Sequence, residues 1–351
     1  MTRTSIIKID PLNPDIAKIK ETARVLKEGG IVCLPTETVY GLAANLSNKE
    51  TIDRLYEIKK RPRNKPFSIH IAQFQTAEEL AENISPLAYK LIYKFWPGPL
   101  TVILKSKDGS AVGLRMPRNK IALAVILESG VPIVMPSANI SEEPAPSTFE
   151  DAFKNFNGLI DMALDSGKTE IGIESMVVDL TGPTMKILRE GACDKTEIER
   201  LAKTKTVLFV CTGNSCRSVM AKGLLEKLLK DRPGIEVLAA GIGAFPGMAP
   251  TNQTVELLKE EGVDMSEYRA QVLSDEMVKK SDLILVMEKR HELNILERIP
   301  QARNRLYLLK EFANIIDASL DIADPIGKSM EFYREVFNII KESIERVAKL
   351  A

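Results

Sequence analysis

Hydrophobic positions along this chain alternate between two rhythms. Short, solid apolar runs of strand length fall at residues 31–34, 133–135, 207–210 and 283–287, and a strand is predicted over 176–180. Between them the apolar residues take helical spacing. Ile16, Ile19, Ala23 and Leu26 make one stripe, Asn13-Pro14 offers a cap and a proline for its start, and Gly29-Gly30 stops it. A second helix is predicted over 49–60, ended by Pro62, and a strand over 67–71. Strand and helix signals go on alternating to about residue 188, so the first part of the chain is α/β.

A charged stretch, 194–205, has Ile198 and Leu201 as its apolar points and predicts a short joining helix without a flexible spacer. The alternation then resumes. A strand over 207–210 leads through a polar turn to a helix whose stripe is Met220, Leu224, Leu225 and Leu228. A strand near 236–240, a helix over 251–261, a strand over 283–287, a helix to 298, a strand over 306–309 and a helix over 329–350 follow. That order predicts a parallel, doubly wound sheet with its ligand at the carboxyl end of the first strand.

At 351 residues the chain is too long for one typical core, and the pattern places the domains at 1–203 and 204–351. The 48 basic and 48 acidic residues cancel, so no global field favours nucleic acid or a membrane surface. No apolar run reaches the length of a membrane span, and the start MTRTSIIKIDP lacks an apolar signal core. The four cysteines, Cys33, Cys193, Cys211 and Cys216, show neither metal-ligand spacing nor a disulfide framework.

The densest chemistry is TVLFVCTGNSCRS at 206–218, which reads as strand, tight turn and helix start. Such a loop aims backbone N–H groups inward at the positive end of a helix dipole, a cradle for a phosphate-sized dianion. Cys211 opens it and Arg217 closes it, with five residues between. A thiolate is a nucleophile that a helix N-terminus and a guanidinium favour, and the guanidinium can hold two phosphoryl oxygens at once. A lone cysteine on a strand is usually structural. Cys, Gly, Asn, Arg and Ser gathered on one strand–loop–helix transition argue for chemistry. A thiolate enzyme points to a reducing, cytoplasmic setting.

CTGNSCRS after an apolar strand resembles the low-molecular-weight phosphatase family, which holds tyrosine phosphatases, protein-arginine phosphatases and one class of arsenate reductase. The resemblance continues through residues 239–241, SDLILVME at 281–288 and Asp324-Pro325. It implies that Cys211 is the nucleophile, that Arg217 and the loop N–H groups bind phosphate, and that Asn214, Ser215 and Ser218 support the loop. It implies that Asp324 is the general acid, although Asp-Pro is also a common turn pair. It implies no cofactor for this half, and a reversible Cys211–Cys216 disulfide on oxidation. Arsenate reduction needs further thiols, and no cysteine follows Cys216. Ser215 is small and hydroxylated, which resembles the arginine phosphatases. Ile326 follows Asp-Pro where the tyrosine enzymes tend to carry an aromatic wall. The expected substrate is a phosphorylated protein, with phosphoarginine ahead of phosphotyrosine. Val219 stands where the family usually has proline.

In the first part, KKRPRNK at 59–65 carries five positive charges, and Pro62 and Pro66 stiffen it. A basic turn is usually a solvated face or a nucleic-acid patch, whereas cations held in place suit a triphosphate. Ser137 and Asn139, in PSAN after an apolar strand, point to one side of an extended chain. Glu174-Ser175 heads another strand, and Arg189 follows Ile187.

These pieces resemble the YrdC-like threonylcarbamoyl-AMP synthase family. They are PTETVYGL at 35–42, Lys59 and Arg61, WPGPLT at 96–101, LRMP at 114–117, PSAN at 136–139, IESMVVD at 173–179 and REG at 189–191. The resemblance implies a twisted α/β sheet. It implies an enzyme that joins L-threonine, bicarbonate and ATP, with Mg2+ assisting, and passes the adenylate to tRNA-modifying transfer enzymes. It implies ATP binding by Lys59, Arg61, Arg63, Ser137, Asn139, Ser147 and Arg189, and threonine binding by Thr36, His70 and Ser175. Met176 departs from the family's usual threonine. The reading is therefore a bifunctional enzyme. The rival is a nucleic-acid-binding module fused to a tyrosine phosphatase, which the neutral charge and the Ser137/Asn139 pair disfavour.

Overall fold

The computed structural model describes residues 3–315 and 317–350. The chain divides into two compact units, residues 1–84 with 90–198 and residues 85–89 with 199–351.

The first unit is built on a mixed sheet. Its strands are β1 (Ser5–Lys8), β2 (Val32–Leu34), β3 (Gly41–Asn45), β4 (Ile69–His70), β5 (Leu100–Lys105), β6 (Ala111–Arg115), β7 (Ile133–Val134), β8 (Met162–Asp165), β9 (Met176–Asp179) and β10 (Lys186–Arg189). Their order is β1-β8-β2-β3-β7-β4-β6-β5-β9-β10. One face is covered by the helices Ile16–Lys27 and Lys120–Ser129, whose Ile19, Leu26, Ile121 and Val125 pack with Val32, Leu34, Ile133 and Leu164. Burial of these side chains removes apolar area from water, the main favourable term in holding the layers together.

The pairing register brings the polar segments to one place. β2 runs into residues 35–40 and β3 returns antiparallel, with Leu34 opposite Gly41. The end of β7 closes on that turn, since Leu42 N–H donates to the Pro136 carbonyl at 2.8 Å and Ala138 N–H to the Tyr40 carbonyl at 2.8 Å. His70 is paired with both Ile133 and Arg115. Met176 opens β9 opposite Leu100 of β5. The polar residues of four strands and two loops thus converge.

The second unit has an all-parallel sheet of β11 (Lys205–Cys211), β12 (Ile235–Gly241), β13 (Leu283–Val286) and β14 (Leu306–Leu308), in the order β12-β11-β13-β14. β11 is buried on both faces, as a solid apolar run requires. Phe209 packs with Leu225, Phe337 and Ile340, and Leu208 and Val210 pack with Ile284, Val286 and Ile295. The chain turns to opposite sides after β11, which opens a crevice at its carboxyl end.

Several details differ from the sequence reading. The first helix is capped by Asp15, whose carboxylate accepts from Ala17 N–H at 2.8 Å, and not by Asn13. Asp15 wins because its oxygen reaches the free N–H groups of the first turn. Ile16 and Leu228 lie on the expected stripes yet are 71% and 45% exposed, because each is at a helix end beyond the covering layer. The strand expected over 67–71 shortens to Ile69–His70.

Candidate functional site

The convergence in the first unit forms a cleft of about 400 Å3. It is lined by Thr36, Arg61, His70, Ser137, Ser175 and Arg189 of the sequence-predicted residues, together with Ser68, Thr101, Arg115 and Glu174. The Thr36 hydroxyl donates to the Val39 carbonyl at 2.7 Å, which shapes the turn between β2 and β3. Ser137 Oγ donates to Asn139 Oδ1 at 2.6 Å, and Asn139 Nδ2 donates to the Glu143 carbonyl at 2.5 Å. Ser175 Oγ is 2.9 Å from Thr101 Oγ1 and accepts from Arg189 at 3.1 Å. Arg189 also pairs with Glu174. Burial pushes His70 down to about 3, so the ring is neutral.

The basic run splits into three environments. Arg61 lines the cleft while its Nε and Nη2 donate to the Lys65 and Pro66 carbonyls at 2.8 and 3.0 Å, and its guanidinium lies over the Phe67 ring. Lys59 is only 2% exposed, and its ammonium donates to the Ser137 and Asn139 carbonyls at 2.5 and 2.7 Å. Burial and the neighbouring Arg61 push it down to about 7. Its two hydrogen bonds to those carbonyls hold the 136–139 loop in shape. Arg63 is exposed, pairs with Asp53 and lies over the Tyr56 ring. Ser147 is half-buried, and its carbonyl accepts from Thr169 N–H at 2.8 Å.

Sequence reading passed over one group here. Arg115 is buried and donates to Glu37 at 2.6 Å and to Thr38 Oγ1 at 2.9 Å, while Glu37 also accepts from Arg118 N–H at 3.0 Å. A buried ion pair persists where both ends are also hydrogen-bonded. Both residues belong to the quoted motifs PTETVYGL and LRMP, which was the available signal.

In the second unit the turn after β11 folds tightly back on Cys211. Asn214 takes a left-handed backbone with φ 52°, as its side-chain type tolerates. Its N–H donates to Cys211 Sγ at 3.2 Å, and Ser218 Oγ lies 3.0 Å from the same sulfur. Asn214 Nδ2 donates to Ser218 Oγ at 2.9 Å, which turns the serine proton towards the sulfur. Tyr268 OH and Gln271 N–H donate to Asn214 Oδ1, both at 2.8 Å, and fix the amide.

Arg217 is 1% exposed. Its Nη1 donates to Glu288 and to the Ile322 carbonyl, and its Nη2 donates to Asp324 Oδ2 at 2.5 Å. Its Nε is buried and has no partner among the described residues. An orphaned buried donor of that kind is rare and costs free energy until an acceptor fills the site. Ser215 is half-buried beside Cys216, and Ile326 is exposed. Cys211 and Cys216 are both free thiols. Glu288, Tyr268 and His291 were not singled out from sequence. Glu288 lay inside the quoted SDLILVME, and His291 is the second of two histidines.

Among the described residues no three His, Cys, Asp or Glu side chains are grouped to hold a metal ion. No helix of the described residues is long and apolar enough to cross a membrane.

Two family models match the chain. The Sua5/yciO/yrdC model, described as telomere recombination, covers residues 24–191, and low molecular weight phosphotyrosine protein phosphatase covers residues 206–350. The threonylcarbamoyl-AMP synthase of Pyrococcus abyssi is 36% identical over 254 residues, 70% of this chain and 74% of that protein. The protein-arginine-phosphatase of Geobacillus stearothermophilus is 38% identical over 143 residues, 41% of this chain and 93% of that protein. The crystal structure of P. abyssi Sua5 complexed with L-threonine superposes with a TM-score of 0.54 at 28% identity, over 87% of this chain and 99% of that one.

Proposed function

This chain belongs to the Sua5/yciO/yrdC family of threonylcarbamoyl-AMP synthases in its first part and to the low molecular weight phosphotyrosine protein phosphatases in its second, and we propose that it is a bifunctional enzyme with a boundary near Lys203. The first activity condenses L-threonine, bicarbonate and ATP into threonylcarbamoyl-adenylate and pyrophosphate. The carrying observation is the cleft, where Arg61, Ser137 and Arg189 share one wall system with Thr36, His70 and Ser175. Arg61 and Arg189 stabilise the phosphates, and Asn139, tied to Ser137, shapes the loop that faces the nucleotide. Mg2+ arrives with ATP and neutralises the departing pyrophosphate. The adenylate then serves transfer enzymes that modify tRNA, in the cytoplasm. Pyrophosphate release with ATP, threonine and bicarbonate, measured against omission of threonine, tests this. A nucleic-acid-binding module would give only background.

The second activity removes phosphate from a protein residue, and its carrying observation is the buried Arg217 Nε, which has no partner among the described residues. Cys211 attacks phosphorus, and the departing atom takes a proton from Asp324. Water, deprotonated by the same carboxylate, then releases phosphate from the sulfur. Asp324 accepts from Arg217 Nη2. The phosphoryl group replaces that contact and frees Asp324 for the leaving group. Ser215 and Ile326 support phosphoarginine, since a small hydroxylated residue leaves room for a guanidinium. One observation favours phosphotyrosine instead. Phe245 is 73% exposed on the loop after β12, whose Gly241 pairs with Cys211, so an aromatic ring leaves the sheet at the same end. Comparing kcat/KM on phosphoarginine and phosphotyrosine peptides, for wild type, Ser215→Ile and Phe245→Ala, decides between them.

A further inference from the structure

We infer that the Thr212 hydroxyl is a substrate-facing donor in the second unit, and that His291 is the positioning residue that aims it. This rests on the phosphatase reading and adds two residues to it. His291 is fully buried at the start of the helix Lys289–Arg298. Its Nδ1 accepts the Glu288 backbone N–H at 3.1 Å, so Nδ1 carries no proton. Burial pushes the ring down to about 4, so it is neutral at ordinary pH and its one proton is on Nε2. Nε2 is 3.0 Å from Thr212 Oγ1 and therefore donates to it. The backbone of one residue thus dictates the direction of a hydrogen bond on the far side of the ring.

Two more donors meet the same oxygen. Arg290 Nη2 lies at 2.9 Å and Arg217 Nη2 at 3.4 Å. A hydroxyl oxygen has two lone pairs, and the two shorter contacts fill them. Every neighbour is then a donor, and no hydrogen bond among the described residues takes the Thr212 proton. Thr212 follows the candidate nucleophile directly and borders the guanidinium nitrogen that donates to Asp324. An acceptor arriving there is a phosphoryl oxygen. Accepting two donors, one of them charged, polarises the O–H and strengthens its own donation. His291 also braces Glu288, whose carboxylate pairs with both Arg217 and Arg290, so one ring orients two contributors to the anion site.

The full chain is assayed with p-nitrophenyl phosphate, whose leaving group needs no acid, and with inorganic phosphate as competitive inhibitor. Thr212→Val should lower kcat/KM by roughly tenfold and weaken phosphate inhibition in parallel, as expected for one lost hydrogen bond to an anion. Thr212→Ser should recover most of that loss. His291→Asn keeps an acceptor for Glu288 N–H but cannot reach Thr212, so it should fall towards the valine variant. The double variant should then be no worse than the worse single one, because both delete the same bond. Unchanged turnover and phosphate inhibition in Thr212→Val overturns the inference, and so do additive losses in the double variant. If the valine variant does not fold, wild-type activity in His291→Asn overturns it alone. Cys211→Ser separates the two levels: an active serine variant removes the phosphatase reading itself, whereas a dead one with an unaffected Thr212→Val removes only the inference.

Discussion

Neighbouring side chains of one type do different work here, and the basic run of the first unit shows it. Arg61 lines the cleft, Lys59 is consumed by two carbonyls, and Arg63 is drawn away by Asp53. Spacing alone gave all three the same role, because a sequence records charge but not which partner claims it. Arg61→Ala should reduce adenylate formation by about a hundredfold, comparable to losing one preorganised donor to developing charge. Arg63→Ala should stay within about threefold of wild type, since an exposed ion pair contributes little. Pyrophosphate release at saturating threonine measures both. Equal losses would show that Arg63 swings from Asp53 onto the nucleotide. Cys211, Asn214, Arg217 and Ser218 were legible as a group because all four fall within eight consecutive residues, whereas the distant partners that fix them, Tyr268, Glu288 and Asp324, needed the fold.

Elements place these residues, and close backbone approaches at their ends set the limits. A Cβ at Gly241, the last residue of β12, would meet the Thr212 carbonyl at 2.4 Å and Asn214 N at 2.9 Å. Both are backbone atoms of the phosphate loop, so they cannot step aside cheaply. Gly241→Ala should push the loop off its geometry, lower phosphatase kcat/KM by at least about tenfold and cost about 1–3 kcal/mol of stability. Gly191→Ala in the first unit meets the Glu174 carbonyl at 2.4 Å and Met176 N at 2.5 Å, and should impair adenylate formation selectively. Thermal unfolding of each variant beside both activities checks the pair. Elements with solid apolar runs or clean helical stripes were legible from sequence, β11 and the helix Met330–Leu350 among them. The pairing of β4 with β6 and β7 was not, since it joins residues far apart in the chain through two residues of strand. Arg115 and Glu37 stayed hidden for that reason: their ion pair exists only once the sheet order is known.

At the scale of the whole molecule, two units carry two chemistries, and each holds one buried histidine. Arg61→Ala should leave phosphatase activity intact, and Cys211→Ser should leave pyrophosphate release intact; a loss of both activities in either variant would reveal coupling. The histidines also set how the chain responds to acid. His70 is driven down to about 3 by burial, while an unfolded histidine titrates near 6.5. Between those values the unfolded chain binds a proton that the folded chain refuses. Stability is therefore full above about pH 6.5 and is lost as pH falls towards 3. From pH 6.5 to 5 each histidine takes up a proton in the unfolded chain that its buried folded ring refuses, which a carboxylate with the same value in both states does not do. Across that interval the first unit should lose about 2 kcal/mol, at ~1.4 kcal/mol per pH unit. His291, driven down to about 4, acts in the same direction on the second unit. Denaturant unfolding of wild type, His70→Gln and His291→Gln at pH 7 and pH 5 measures the effect. Each variant should flatten the acid loss of its own unit and leave the other's slope as it was. A wild-type protein equally stable at both pH values would mean that the folded rings accept protons, and that water in the cleft hydrates His70.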